Sequence, residues 1–317
     1  MNWTLERARG LYDRPFMDLL MEAQTVHRAH AEANAVQLSA LLSIKTGRCP
    51  ENCSYCPQSA HYNTGLKSEP LMDLKEVKAA AIRAQAAGAT RFCMGAAWRG
   101  PKDADVEAVC EMVEAVKSLG LESCATLGLL SASQAKRLKA SGLDFYNHNI
   151  DTSPDFYPEI ITTRQFEDRV ETLRHARAAG LKLCCGGILG MGETTDDRLM
   201  MLVTLANWEE PPESIPINQL IPIPGTPLAS QLAVDPLEVV RVIAVARLMM
   251  PGSVIRLSAG RARMDDCFQA WCFFAGANSV FHGDQLLTAD NPSSSSDASL
   301  FARLGMHPMA LPQEVPA

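Results

Sequence analysis

The sequence predicts an α/β chain, a (β/α)8 barrel of the TIM type behind a short N-terminal helical extension. Three observations predict it. From Val36 onward, apolar strand-like runs alternate with helical repeats eight times. The helices end repeatedly at glycine, at Gly88, Gly120 and Gly180. No composition break divides the 317 residues, and eight units over that length favour a closed barrel over an open sheet.

The opening segment to about Glu32 reads as helices, because Phe16, Leu19, Leu20 and Ala23 recur at helical spacing. Val36 to Ile44 is the first strand, followed by a cysteine-rich loop and a helix from Asp73 to Ala87. Strand two is Arg91 to Trp98, then a helix from Asp103 to Leu119; strand three is Leu121 to Leu127. Ser131 is placed to cap a helix running to Ala140. Strand four, Leu143 to Asp151, precedes a helix from Arg164 to Ala179, and strand five is Lys182 to Leu189. Helix Thr195 to Asn207, strand Ser214 to Ile221, helix Asp235 to Met249 and strand Ser253 to Ser258 continue the series. Helix Arg263 to Phe274 and strand Asn278 to Phe281 close it. The expected organisation is a helical extension over 1–35, the barrel over 36–292, and a flexible tail over 293–317, with Ser293-Ser294-Ser295-Ser296 as a connector and a frayed end from His307.

Composition narrows the class. A 47% hydrophobic content suffices for a sizeable core, and 21% charged residues argue against disorder. A net charge of −7 with no long basic run argues against nucleic acid as a partner. The segment Met1 to Arg14 is charged and lacks an apolar leader core, and the most apolar helix is broken by Arg241 and Arg247, so no membrane span is expected. This is the pattern of a soluble cytoplasmic chain, where ten cysteines are more readily ligands, catalytic groups or buried small hydrophobes than disulfides. Cys110, Cys267 and Cys272, like Trp98, Trp208 and Trp271, are read as packing.

Cys49, Cys53 and Cys56 fall at spacings of four and three in a loop of Gly, Pro and Asn. Such a loop can gather three thiolates around one centre and leave a coordination position over. The spacing keeps open a lone structural zinc, an incomplete [4Fe-4S] site, or cysteines without a metal. Cys93, Cys124 and Cys184 lie in apolar runs of strands two, three and five, and Arg256 lies in strand seven. Each cysteine alone is most simply a core hydrophobe. Together they converge on a barrel lumen, where a buried arginine needs an anionic partner. Cys185 points to the opposite face from Cys184 in a regular strand, and a bulge would exchange them. Asn149 and Asp151 share one parity at the end of strand four. They serve a ligand or cap the turn before Pro154. His148 is either a base or a satisfied polar group beside the site.

The triplet Cys49, Cys53 and Cys56, with Tyr55 before the last, resembles the CxxxCxxC signature of radical S-adenosylmethionine (SAM) enzymes. The flanks Leu41-Leu42-Ser43-Ile44-Lys45-Thr46-Gly47 and Cys56-Pro57-Gln58-Ser59 are similar to those of biotin synthases in particular, and the likeness runs from about Trp3 to Pro292. It extends to Arg91-Phe92-Cys93-Met94-Gly95, Cys124-Ala125-Thr126-Leu127-Gly128, Cys184-Cys185-Gly186-Gly187 and Arg256-Leu257-Ser258-Ala259-Gly260-Arg261. The resemblance implies that Cys49, Cys53 and Cys56 hold a [4Fe-4S] cluster that binds and cleaves SAM. It implies that Cys93, Cys124, Cys184 and Arg256 ligate a [2Fe-2S] cluster that donates sulfur to dethiobiotin, with Arg256 tuning its charge. Tyr55, Asn149, Asp151, Gly192 and Glu193 would then contact SAM, and Asn149, Asn218 and Thr288 the substrate. The family often carries a second Thr beside Thr288, where this chain has Ala289. The resemblance further implies a homodimer and an external electron donor of flavodoxin or ferredoxin type. The alternatives are another radical SAM reaction on a small molecule, or a non-enzymatic metal-binding or electron-carrying protein.

Overall fold

A computed structural model describes residues 2–310. Two helices, α1 (Leu5–Tyr12) and α2 (Phe16–His30), precede the barrel. The barrel then runs β1 (Ala35–Lys45), α3 (Leu74–Ala86), β2 (Arg91–Ala96), α4 (Asp103–Lys117), β3 (Glu122–Thr126), α5 (Ala132–Ala140) and β4 (Phe145–Asn147). It continues with α6 (Tyr157–Ile160), α7 (Phe166–Ala178), β5 (Lys182–Cys184), β6 (Gly187–Leu189), α8 (Thr195–Ala206), β7 (Ser214–Gln219), α9 (Pro236–Met249) and β8 (Val254–Leu257). After α10 (Asp266–Phe274) and β9 (Ser279–Phe281) come a small hairpin of β10 (Gln285–Leu286) and β11 (Ala289–Asp290), then α11 (Ser294–Leu304) and β12 (His307–Pro308).

The strands pair in parallel in chain order, and β9 pairs back onto β1, which closes the ring. β5 and β6 share one place in it, giving eight positions. Local signals act as the sequence predicts: Ser131 caps α5 by accepting from the Gln134 amide. The N-terminal helices dock outside, where Arg241 donates to the carbonyls of Tyr12 and Arg14 and stacks on Phe16.

Three expectations are corrected. Strand five is not continuous: it breaks at Cys185-Gly186. There the chain passes so close to its neighbours that a Cβ on Gly186 would lie 2.0 Å from the Pro216 carbonyl oxygen, and one on Gly187 2.4 Å from that of Asp151. Strand four stops at Asn147, short of Asp151, whose φ of 69° is incompatible with an extended ladder. The tail expected to be flexible over 293–317 is ordered across its described part. Ser293 caps α11 instead of linking, because its hydroxyl accepts from the Ser296 amide. Leu300 and Phe301 are buried, and β12 pairs with the start of β1, so the described part of the frayed end expected from His307 is also tied down. Residues 311–317 lie outside the described residues. Among the packing cysteines, Cys272 is buried and Cys267 is exposed.

Candidate active site at the C-terminal mouth of the barrel

Period-two alternation sends Gln37, Ser39 and Leu41 of β1 into the lumen, as it does Arg91 and Cys93 of β2 and Glu122 and Cys124 of β3. Cys93 is the direct register partner of Cys124. Cys184 enters from the end of β5, and all three are almost fully buried in one cluster with Phe145 and Phe281. Cys185 packs instead into the outer core between barrel and helices.

Cys124 shares this buried cluster with Cys93, its register partner, and with Cys184. The neighbouring Cys184 and Cys93 thiols, with burial, push the Cys124 pKa far up. The Cys124 thiol holds Cys184 well below its ordinary value, helped by Arg256 and Arg91 against the effect of burial. Arg256 is 1% exposed. It donates to Ser279 (3.0 Å), Ser39 (3.0 Å) and Gln37 (3.2 Å), and its Nη1 approaches Cys184 Sγ at 3.8 Å. Arg91 is a second lumen cation, paired to Glu122 at 2.9 Å and stacked on Phe145. Its Nη1 has no partner. Three thiols between two buried guanidinium groups form a donor set that fits an anionic inorganic core better than an apolar interior.

The loop after β1 turns through Gly47 and Arg48, both at positive φ. It is stitched by Cys49 N to the Gln58 carbonyl (2.9 Å), Ala60 N to the Cys49 carbonyl (2.7 Å) and Cys56 N to the Cys53 carbonyl (2.9 Å). Burial raises the thiol pKa at Cys49 and Cys53, and at Cys56 to about 12, so unbound thiols here stay protonated. Only a strong Lewis acid would make all three thiolates. A lone zinc needs its ligand sulfurs about 2.3 Å from one centre. Among the described residues no three His, Cys, Asp or Glu side chains gather around such a point.

A clasp from the segment before α7 holds this loop, and sequence reasoning missed it. Asn52 Oδ1 accepts from Thr162 N (3.0 Å) and Thr163 N (3.2 Å), while its Nδ2 donates to Thr162 Oγ1 (2.6 Å). Asn52→Ala removes these bonds and should cost about 1–3 kcal/mol. Thermal unfolding, together with iron retention through gel filtration, would measure it. Unchanged values in both would mean the clasp holds nothing.

One cavity of about 260 Å³ is lined by Cys56 and Tyr55 of the loop and by Cys93, Cys124, Cys184 and Arg256 of the lumen. Asn149, Asp151, Asn218 and Thr288 also line it. The hairpin residues Leu286 and Leu287 form part of its wall. Asp151 is only 2% exposed. Its carboxylate accepts from the Tyr55 hydroxyl at 2.7 Å and lies against the Arg169 guanidinium. The capping alternative for Asp151 gives way to this buried pair. Asn149 Oδ1 accepts from Gly186 N (3.2 Å), leaving its amide nitrogen to donate. Asn218 donates to the Gly187 carbonyl (2.9 Å) and accepts from Ala259 N (3.1 Å).

Gly192 and Glu193 are not on this wall. Glu193 spends its carboxylate on the amides of Gly190 (2.8 Å) and Met191 (2.7 Å) and on Arg198. It shapes the glycine turn and has no oxygen facing the cavity. His148 is buried and off the wall, with its pKa well below the usual value through burial and then Arg169 and Arg164, so it stays neutral.

The radical SAM superfamily pattern matches residues 43–206, and the Biotin and Thiamin Synthesis associated domain matches residues 216–307. A biotin synthase of Rickettsia felis is 60% identical over 304 residues, 96% of this chain and 98% of its own. Those of Agrobacterium fabrum (61%, covering 97% and 91%) and Brucella anthropi (62%, covering 96% and 90%) are equally similar. The chain belongs to the biotin synthase family. Among solved structures, methylornithine synthase (PylB) matches with a TM-score of 0.82 at 21% identity, covering 98% of this chain and 95% of its own. The hydrogenase maturase HydG of Carboxydothermus hydrogenoformans gives 0.83 at 18%, covering 97% and 76%. At such identities these two share the barrel. The biotin synthase family assignment rests on sequence.

Several wall and clasp residues of this biotin synthase family member escaped sequence reading: Glu51, Asn52, Asn147, Arg164, Arg169 and the hairpin leucines. For Arg169 a signal existed. It stands with Phe166, Thr172, Leu173 and Ala176 on the buried stripe of α7, where an arginine is out of place.

Proposed function

We propose that the chain converts dethiobiotin to biotin, with Cys49, Cys53 and Cys56 holding a [4Fe-4S] cluster and Cys93, Cys124, Cys184 and Arg256 a [2Fe-2S] cluster. When bound, these groups supply the electron that cleaves SAM and the sulfur that enters the substrate. What supports the reading best is that one cavity is lined both by Cys56 of the loop and by the three lumen thiols, with Arg256 beside Cys184. The protein's part is placement and exclusion. Asp151 and Tyr55, braced by Arg169, present a fixed polar edge at the loop end, suited to SAM hydroxyl and amino groups.

Asn149 and Asn218, each already oriented by backbone bonds, would hold the ureido ring, and Thr288 reaches in from the hairpin. Ala289 lacks the hydroxyl that a second threonine would contribute. Apolar walls from Leu41, Ile188, Leu286 and Leu287 keep water from a reactive carbon centre. Arg256, fixed by Ser39, Gln37 and Ser279, sets the charge beside Cys184. A homodimer, a flavodoxin- or ferredoxin-type electron donor and a cytoplasmic location complete the proposal. Among the described residues no helix is long and apolar enough to cross a membrane.

Anaerobically reconstituted protein given SAM, a low-potential reductant and dethiobiotin should yield biotin, methionine and 5′-deoxyadenosine. Methionine and 5′-deoxyadenosine with dethiobiotin unchanged would leave only the wider radical SAM reading. No SAM cleavage at all would point to a non-enzymatic iron protein.

A further inference from the structure

Arg164 is buried at the end of the clasp, just before α7. Its Nη2 donates to Cys53 Sγ at 3.6 Å. The nearest anion is Glu51, with Nε to Oε2 at 3.8 Å, and Nε makes no hydrogen bond. Glu51 is itself 1% exposed and divided among Arg99 (3.0 Å), Thr163 and Arg164. Burying a guanidinium costs several kcal/mol unless good anionic partners surround it. A shared carboxylate at that distance and a neutral thiol, a weak acceptor, are poor compensation. The arrangement makes sense when Cys53 is a thiolate and more negative charge lies beyond it.

We propose that Arg164 is a positioning and charge-compensating residue for the SAM-cleaving centre, its hydrogen bond to Cys53 favouring the reduced state of the cluster, with Glu51 opposing it. The inference rests on reading Cys53 as a cluster ligand and deepens that reading. The physical ground is general: hydrogen bonds to cluster sulfurs and nearby net charge set iron–sulfur potentials. A cation donating to the ligand sulfur stabilises the form carrying one more electron. Among the described residues, Cys53 alone of the three loop thiols has an arginine donor on its sulfur. The effect is therefore lopsided within the triplet. Because the bond comes from the segment that also clasps Asn52, the loop's shape and its electrostatics are set by one stretch of chain.

The experiment is a redox titration of the holoprotein without substrate, following the electron paramagnetic resonance signal of the reduced [4Fe-4S] cluster. In Arg164→Met the ratio of reduced to oxidised cluster at a fixed potential should fall about tenfold, a shift of about 59 mV for one electron. Glu51→Gln should move it the other way. Arg164→Lys, which keeps the charge, should fall between Arg164→Met and the parent. An unchanged midpoint in Arg164→Met overturns the inference. So does loss of that cluster from both Arg164 variants while the lumen cluster is retained, since this would leave Arg164 only a structural hold on the loop. Failure of the functional reading is distinguishable: the parent protein itself would then show no low-potential signal and no SAM cleavage.

Discussion

Asp297→Ala should destabilise the protein by about 3–5 kcal/mol, the cost of stranding one member of a buried ion pair. Arg261 and Asp297 are 0% and 1% exposed in their side chains. Arg261 donates to Asp297 Oδ2 at 2.9 Å, to Gln269 at 3.1 Å and to the Phe281 carbonyl at 2.8 Å, and His282 meets the same carboxylate at 3.2 Å. Asp297 lies in α11, whereas Arg261 follows β8 and His282 follows β9, so one carboxylate ties the terminal helix to two strand ends. Removing it leaves a guanidinium in the interior. Urea unfolding of the variant beside the parent measures the loss, and a change under about 1 kcal/mol would show the pair to be replaceable.

The pH dependence has a definite sign. Burial opposes the charge on Asp297, but hydrogen bonds from His282 and Arg261 outweigh it and hold the carboxyl below its ordinary value. A depressed folded pKa gives stability that is fully present above the unfolded value, about 3.9, and is lost as pH falls through the lower folded one. The parent should therefore lose stability on the acid side of about pH 4, and Asp297→Asn should lose less there.

Cys124→Ala should abolish sulfur insertion, with loss of about two irons and two sulfides per chain, while SAM cleavage continues. Cys124 is the register partner of Cys93 and shares its buried cluster with Cys184. Without it the lumen keeps only two of its three thiols. Cys185→Ala, emptying a site in the outer core, should keep the iron count and cost only folding stability. Iron and sulfide analysis, with separate assays for 5′-deoxyadenosine and biotin, checks both. Full iron in Cys124→Ala would remove Cys124 from the ligand set. Loss confined to Cys185→Ala would make Cys185, not Cys184, the ligand.

Part of the site was legible because its signals are local. The cysteine spacing, the glycine-marked turns and strand parity all operate within a few residues. Parity alone directs Cys93 and Cys124 inward. Cys184 obeys it too, since the strand breaks just beyond it at Cys185-Gly186. The long strand four and the flexible tail misled for the same reason. An apolar run does not reveal that Asp151 turns to positive φ to meet Tyr55 and Arg169. A serine run reads as a linker until Asp297 is seen to have a buried partner.

By itself, then, the sequence determined the barrel, the loop that carries the first thiols and the strands that carry the others. Hydrophobic periodicity and turn chemistry are properties of adjacent residues. Only the tertiary structure decided which charges are buried against which: Arg164 on Cys53, Arg169 on Asp151, Arg261 on Asp297. Each pair joins separate elements of the barrel, so no window of sequence contains both partners. A charged side chain looks solvated until the fold takes the water away.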